Sequence, residues 1–316
     1  MPRISVAQLF EDNRQRLHLA WIAGRDGGAK ELSPGNLKHS PEGLIGHLNF
    51  IHPNWIQVLA RPELEHLAAL DAAKREQMLR GLAASQLVCM IVAGGESVPE
   101  HLQALADSMH TALLSSPFGS VELMWMLRPY LARALAESTT LHGVMLDVLG
   151  MGVMITGDSA VGKSELALEL ISRGSGLIAD DVVELYQIGP ETLEGRCPPL
   201  LRDFLEVRGL GVLNIRTIFG EAALRPRKNL KLIVHLEKPA GAEPQYLERL
   251  PLKPGVQTIL GVSMRKVTIP VAAGRNLAVL VEAAVRNYVL QLRGIDSTLE
   301  FIARQSQQIA KGEKKP

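Results

Sequence analysis

Along this chain two kinds of apolar pattern alternate. Short runs closed by glycine or proline read as buried strands, and longer stretches with apolar residues every three or four positions read as helices. Residues 6–21 are helix-like, and the glycines between Gly24 and Gly28 break the pattern. Apolar segments at 43–48 and 54–59, punctuated by Pro41 and Pro53, precede a charged helical stretch at 64–82. Residues 86–93 (QLVCMIVA), closed by Gly94-Gly95, form the clearest strand, and 99–112 and 121–137 return to helical spacing. Strand followed by helix, repeated, predicts a small α/β layer domain over residues 1–135.

Ser138-Thr139-Thr140 reads as a linker into a second domain, 136–316. Runs at 141–149 and 152–156 flank Gly150-Met151 and predict a hairpin. Further strands are expected at 176–179, 182–185, 231–236 and 266–269. Residues 276–292 place Leu277, Leu280, Val281, Ala284, Val285, Tyr288 and Leu292 on one helical stripe. Ser297 followed by Glu300 has the spacing of a capping box opening a last helix, and residues 311–316 read as a solvated charged tail. The chain carries no internal repeat.

Composition narrows the classes. With 316 residues, 47% hydrophobic and 21% charged, the chain fits two soluble globular domains. Lysine and arginine number 34 against 33 acids, so charge gives no reason to expect nucleic acid or a membrane surface. No apolar stretch reaches the length of a bilayer span. Met1-Pro2-Arg3-Ile4-Ser5 lacks the apolar core of a secretory signal, so a cytoplasmic location is expected. Cys89 lies in an apolar run and Cys197 precedes Pro198-Pro199, with no metal-ligand spacing between them.

Gly157-Asp158-Ser159-Ala160-Val161-Gly162-Lys163-Ser164 is a complete phosphate-binding loop, G-x-x-x-x-G-K-[ST]. The apolar run 152–156 before it reads as a strand, and 165–173 after it as a helix. In that setting the glycines let successive N–H groups converge on one anion, and the helix start adds its dipole. Lys163 can reach terminal phosphates, and the Ser164 hydroxyl can hold a divalent cation. The pattern predicts binding of a nucleoside triphosphate.

Such a tail needs carboxylates. Residues 177–179 end in Asp180-Asp181, 17 and 18 positions after Lys163, and a strand beside the loop strand would deliver them to the phosphates. One acid would serve the magnesium shell and the other would act as a base. His142 opens the strand before the loop strand and is a weaker candidate. His235, inside an apolar run, reads as structural. Residues 205–220 mix three glycines and two arginines with aliphatic residues and fit neither a clean strand nor a clean helix. Glu206 could complete the metal shell, and Arg208 or Arg216 could meet phosphate. The spacing leaves open a kinase acting on a small metabolite and a nucleotide-gated regulatory protein. The basic stretch Arg225-Pro226-Arg227-Lys228 reads as a solvated loop.

In this order the segments resemble the bifunctional HPr kinase/phosphorylase family. The resemblance rests on His142-Gly143, the loop Gly157 to Glu165, Ala179-Asp180-Asp181, the stretch Leu205 to Gly220, Arg249, and Ile269-Pro270-Val271 with Gly274-Arg275. It implies a C-terminal P-loop kinase domain resembling phosphoenolpyruvate carboxykinase behind the small N-terminal α/β domain, assembled as a homohexamer. It also implies ATP-dependent phosphorylation of a seryl residue of the phosphocarrier protein HPr, with magnesium. The reverse reaction would use inorganic phosphate and release pyrophosphate. By resemblance His142, Lys163, Asp181 and Arg249 are catalytic, and Ser164 and Glu206 hold the metal. Leu205-Glu206-Val207-Arg208-Gly209-Leu210-Gly211-Val212-Leu213-Asn214 would serve both reactions, and Pro270-Val271-Ala272-Ala273-Gly274-Arg275 dephosphorylation. Two positions depart from the family pattern. Ala160 stands where glycine is frequent, a mild change if its φ is negative. Ala272 lies where many members carry an Arg-Pro pair, and it lowers the expectation for the reverse reaction.

Overall fold

The computed structural model of the chain describes residues 3–32, 43–49, 54–83, 85, 87–238, 255–272 and 274–312. Two compact units divide the chain, Met1–Glu137 and Ser138–Pro316. The fold is mixed α/β, as the alternation of patterns predicts.

In the first unit the strands Ile45–His47, Ile56–Leu59, Cys89–Val92 and Ala112–Ser115 run parallel in that order, and Ala20–Ala23 closes the sheet antiparallel. Alternate strand residues face opposite layers. Val58, Ile91 and Leu114 meet helices Val6–Leu17 and Ser120–Ala134. Leu59, Met90 and Leu113 meet Arg61–Ala69, Ala72–Ala83 and Glu100–Ser108. The helix expected over 6–21 ends at Leu17, because His18 turns left-handed (φ +47°) and caps it; residues 20–23 are a strand. The helix expected over 99–112 likewise stops at Ser108, and residues 112–115 form a strand after left-handed His110. Asp71 Oδ1 accepts from the Lys74 N–H at 2.8 Å and starts a separate helix inside the 64–82 stretch.

In the second unit we label strands β1 (Glu137–His142), β2 (Val144–Val148), β3 (Met151–Gly157), β4 (Gly176–Ala179), β5 (Val182–Gly189), β6 (Thr192–Arg196), β7 (Phe204–Val207), β8 (Gly211–Asn214), β9 (Arg227–Glu237), β10 (Gly255–Ile259) and β11 (Val262–Pro270). The helices are α1 (Lys163–Ser172), α2 (Ile215–Phe219), α3 (Leu277–Leu292) and α4 (Ser297–Gly312). The main sheet has the order β4-β2-β3-β9-β6-β5-β1, with β11 on β9 and β10 on β11. One face, with Val153, Ile155, Leu232, Val234 and Ile269, packs on α1 and α3. Leu170 of α1 is fully buried there, and burial of such a side chain contributes about 2 kcal/mol. The opposite face, with Met154, Ile233 and Met264, packs on Val183, Leu185 and Leu193 of β5 and β6.

β3, β9 and β11 are parallel, in the register Thr156↔His235↔Thr268. The phosphate loop, Lys238 after β9 and Val271-Ala272 after β11 therefore leave the sheet from one edge, where open α/β sheets place their ligands. The expected hairpin forms between β2 and β3, with Leu149 and Gly150 both at positive φ. Residues 138–140 are not a linker: they lie within β1 and alternate exposed and half-buried, because serine and threonine suit a half-solvated strand. β4 does not flank β3; β2 lies between them. The α3 stripe ends at Tyr288, since Leu292 is exposed. Asp296, not Ser297, caps α4: its Oδ1 accepts from the N–H groups of Thr298 and Leu299. α4 runs on to Gly312, so residues 311 and 312 of the expected tail are helical. Among the described residues no helix is long and apolar enough to cross a membrane.

Candidate active site

The phosphate loop opens at the end of β3, where Gly157 lies close against Leu236 of β9. Gly157 has φ +144°, and a Cβ there would stand 2.5 Å from Leu236 O, so the position requires glycine. Val161 is buried and pins the middle of the loop to the core beneath α1, and Gly162 (φ +98°) caps that helix. Lys163 is buried; its Nζ donates to Gly157 O at 3.1 Å and Asp158 O at 2.9 Å. Ala160 has φ +62°, not the negative value that would make it a mild replacement for glycine. Its Cβ in the left-handed region costs roughly 1 kcal/mol.

Two long bent strands bring in the acids. β1 continues into β2 through His142-Gly143, and β4 into β5 through Asp180-Asp181. At the two bends the Gly143 N–H donates to Asp181 O at 3.1 Å. This cross-strand contact sets His142 Nε2 3.3 Å from Asp181 Oδ1, with both side chains about 60% exposed. His142 thus ends β1 rather than opening the strand before the loop. Asp181 has φ +64°, a conformation aspartate tolerates better than most residues. Asp180 turns the other way. It is 5% exposed and accepts from Ser164 Oγ at 3.2 Å and from the Glu206 N–H at 2.9 Å. Burial pushes its carboxyl above the ordinary range, partly offset by those two hydrogen bonds.

Residues 204–214, unassigned by pattern, form the β7–β8 hairpin. Leu205 and Val207 are buried, while Glu206 and Arg208 alternate outward into a cleft shared with His142, the loop from Ser159 to Ser164, Asp180 and Asp181. Val212 pairs with Glu206, and Leu210 and Val212 are exposed. Gly209 and Gly211 turn the hairpin at positive φ, Leu213 packs on the core, and Asn214 caps α2. Arg216 does not reach the cleft. Its guanidinium pairs with Asp203 at 2.8 Å and with Glu221, because α2 turns it away.

Glu165 also lines the cleft; its place directly after Ser164 was the available signal for it. Pro270 ends β11, Val271, Ala272, Gly274 and Arg275 come after it, and none of these five lines the cleft. There the Val271 N–H donates to Glu237 O at 2.8 Å. Arg249 and Ala273 lie outside the described residues. His235 faces away from α1, with Nδ1 3.0 Å from Thr156 Oγ1. Cys89 and Cys197 are both free and buried, and burial pushes their thiols up to about 12 and about 11.

The donor set suits a hard cation bound with phosphates. Ser164 Oγ and the Glu206 carboxylate open on one cleft, and buried Asp180 ties their two segments together. Magnesium characteristically takes one or two protein oxygens and completes its shell with substrate phosphates and water.

A family model described as HPr Serine kinase N terminus matches residues 4–131, and one described as HPr Serine kinase C-terminal domain matches residues 133–305. A protein of Nitrosomonas europaea named HPr kinase/phosphorylase is 59% identical over 98% of this chain and 96% of its own length. One of the same name from Chromobacterium violaceum is 58% identical over 96% of this chain and 95% of its own. The solved HPr(Ser) kinase/phosphatase from Coxiella burnetii is 38% identical, spans 52% of this chain and 98% of its own, and has a TM-score of 0.46. With both halves matched by family models and such relatives along nearly its whole length, the chain belongs to the HPr kinase/phosphorylase family.

Proposed function

We propose that this chain transfers the γ-phosphoryl group of ATP to a seryl hydroxyl of HPr. With inorganic phosphate as acceptor it takes that phosphoryl group back, restoring the hydroxyl and releasing pyrophosphate. The relatives' names support both directions. The observation that carries the reading is the exposed His142–Asp181 pair at the lip of the phosphate-loop cleft. A carboxylate standing about 60% in solvent suits a hydroxyl delivered on a folded protein, whereas a small metabolite is better served by an enclosed pocket.

Asp181 takes the proton of the seryl hydroxyl in the kinase direction and returns one in the reverse, as microscopic reversibility requires. His142 keeps the carboxylate turned to the cleft. Lys163 exchanges its contacts with the Gly157 and Asp158 carbonyls for phosphate oxygens, and Arg208 adds positive charge across the cleft. Ser164 and Glu206 would hold magnesium, which supplies charge neutralisation to the phosphates when bound. Asp180 fixes both ligands by accepting from the Ser164 hydroxyl and the Glu206 N–H. The family resemblance supports Arg249 as a further active-site cation, residues 270–275 in dephosphorylation, and a homohexamer in the cytoplasm.

Incubation with purified HPr and ATP, followed by removal of ATP and addition of inorganic phosphate, tests the reading. Seryl phosphate should form and then disappear with stoichiometric pyrophosphate. Unmodified HPr after the first step, under conditions where the protein binds ATP, contradicts it.

A further inference from the structure

The carboxyl end of β3 has two flanks. On the β2/β4 side stand His142, Asp180 and Asp181; on the β9/β11 side the register Thr156↔His235↔Thr268 runs across three strands. These three side chains share the sheet face opposite α1. On that face buried Met154 and Ile233 give way to Thr156 and His235 as the strands reach the phosphate loop, and on β11 buried Met264 is followed by Lys266, opposite Ile233, and Thr268. Thr156 and His235 are joined at 3.0 Å through Nδ1, and among the described residues Nε2 has no hydrogen-bond partner. Burial and Lys266 hold the ring below the usual histidine range, with Glu237 and Asp158 opposing, so near pH 7 it is neutral and carries one donor and one acceptor. No step of the phosphoryl chemistry above uses it.

A triphosphate has its nucleoside at one end and its reacting phosphate at the other. With the γ-phosphate facing Asp181 on one flank of the loop, the nucleoside leaves over the opposite flank. We propose that the ledge of Thr156, His235 and Thr268 is the nucleoside subsite, where Thr156 orients the His235 ring and Nε2 meets the ribose or base. The inference rests on the reading of the cleft as ATP-using. Inorganic phosphate and pyrophosphate carry no nucleoside and do not reach the ledge. His235 would therefore act on the ATP route and not on the phosphate route.

The test is titration calorimetry of ATP and of pyrophosphate, each with magnesium, on the wild-type protein and on His235→Asn. The shorter amide can still pair with Thr156 but lacks the outward edge. Loss of one hydrogen bond should weaken ATP about threefold to tenfold, while the ratio for pyrophosphate stays within about twofold. His235→Gln, whose amide reaches the Nε2 position, should recover part of the ATP affinity. Equal weakening of both ligands would mean that His235 only supports the loop and would overturn the proposal, as would no weakening of either. If His235→Asn binds neither ligand, His235→Gln decides: it must separate ATP from pyrophosphate relative to wild type, and failure to do so overturns the proposal. Wild-type protein that shows this pattern yet leaves HPr unmodified would sink the HPr reading and leave the subsite standing.

Discussion

Ser164 Oγ donates to Asp180 Oδ1 across 3.2 Å, joining the first turn of α1 to the bend between β4 and β5. The other oxygen of Asp180 accepts from the Glu206 N–H, so one buried carboxylate ties loop, bend and hairpin together. The exposed acid next to it, Asp181, inherits its position from that anchorage.

Asp180 carries this role at a cost in stability. Burial raises its pKa in the folded state, so the folded protein holds its proton more tightly than the unfolded chain does. The corresponding stability is fully present below the unfolded value of about 3.9 and is lost as pH rises through the raised folded value. Asp180→Asn cannot ionise and escapes that loss. In metal-free buffer its Tm relative to wild type should rise as pH is raised above about 4. A difference that stays constant with pH, or falls, contradicts the assignment.

Ala160 holds its left-handed conformation against its own Cβ. Ala160→Gly should stabilise the protein by about 1 kcal/mol, a rise in Tm of about 2–4 °C. ATP affinity should be preserved, because the backbone N–H groups of the loop keep their directions. A fall in Tm would show that the strain is absent.

Gly157→Ala should act in the opposite sense. The new methyl meets Leu236 O at 2.5 Å in a backbone conformation that favours glycine, so β3 must separate from β9 at the mouth of the loop. ATP binding measured by calorimetry should fall at least about tenfold. Wild-type affinity in a folded variant would mean that the loop does not depend on this approach.

Arg216 lies in the family-specific stretch but pairs with Asp203 and Glu221. Arg216→Ala should leave KM for ATP within about twofold, whereas Arg208→Ala, which removes a cleft cation, should raise it by more. Equal effects would return Arg216 to the phosphate site.

What pattern revealed here was local. The phosphate loop, the Asp180-Asp181 pair and the β2–β3 hairpin are contiguous segments whose chemistry depends on few neighbours. Misreadings arose where tertiary contacts decide. Residues 138–140 look like a polar linker until β5 pairs with β1. The strands at 20–23 and 112–115 merge into helical periodicity unless left-handed His18 and His110 are known. The outward alternation of Glu206 and Arg208 needs the hairpin register, and the turning away of Arg216 needs α2. That His142 meets Asp181 depends on two bends 39 residues apart in the chain, a distance that spacing alone cannot bridge.

Single-turnover measurement on Asp181→Asn tests the central claim most directly. With ATP affinity within about threefold of wild type, the variant should neither phosphorylate HPr nor release pyrophosphate from seryl-phosphorylated HPr and inorganic phosphate. Turnover near the wild-type rate in either direction would contradict the account.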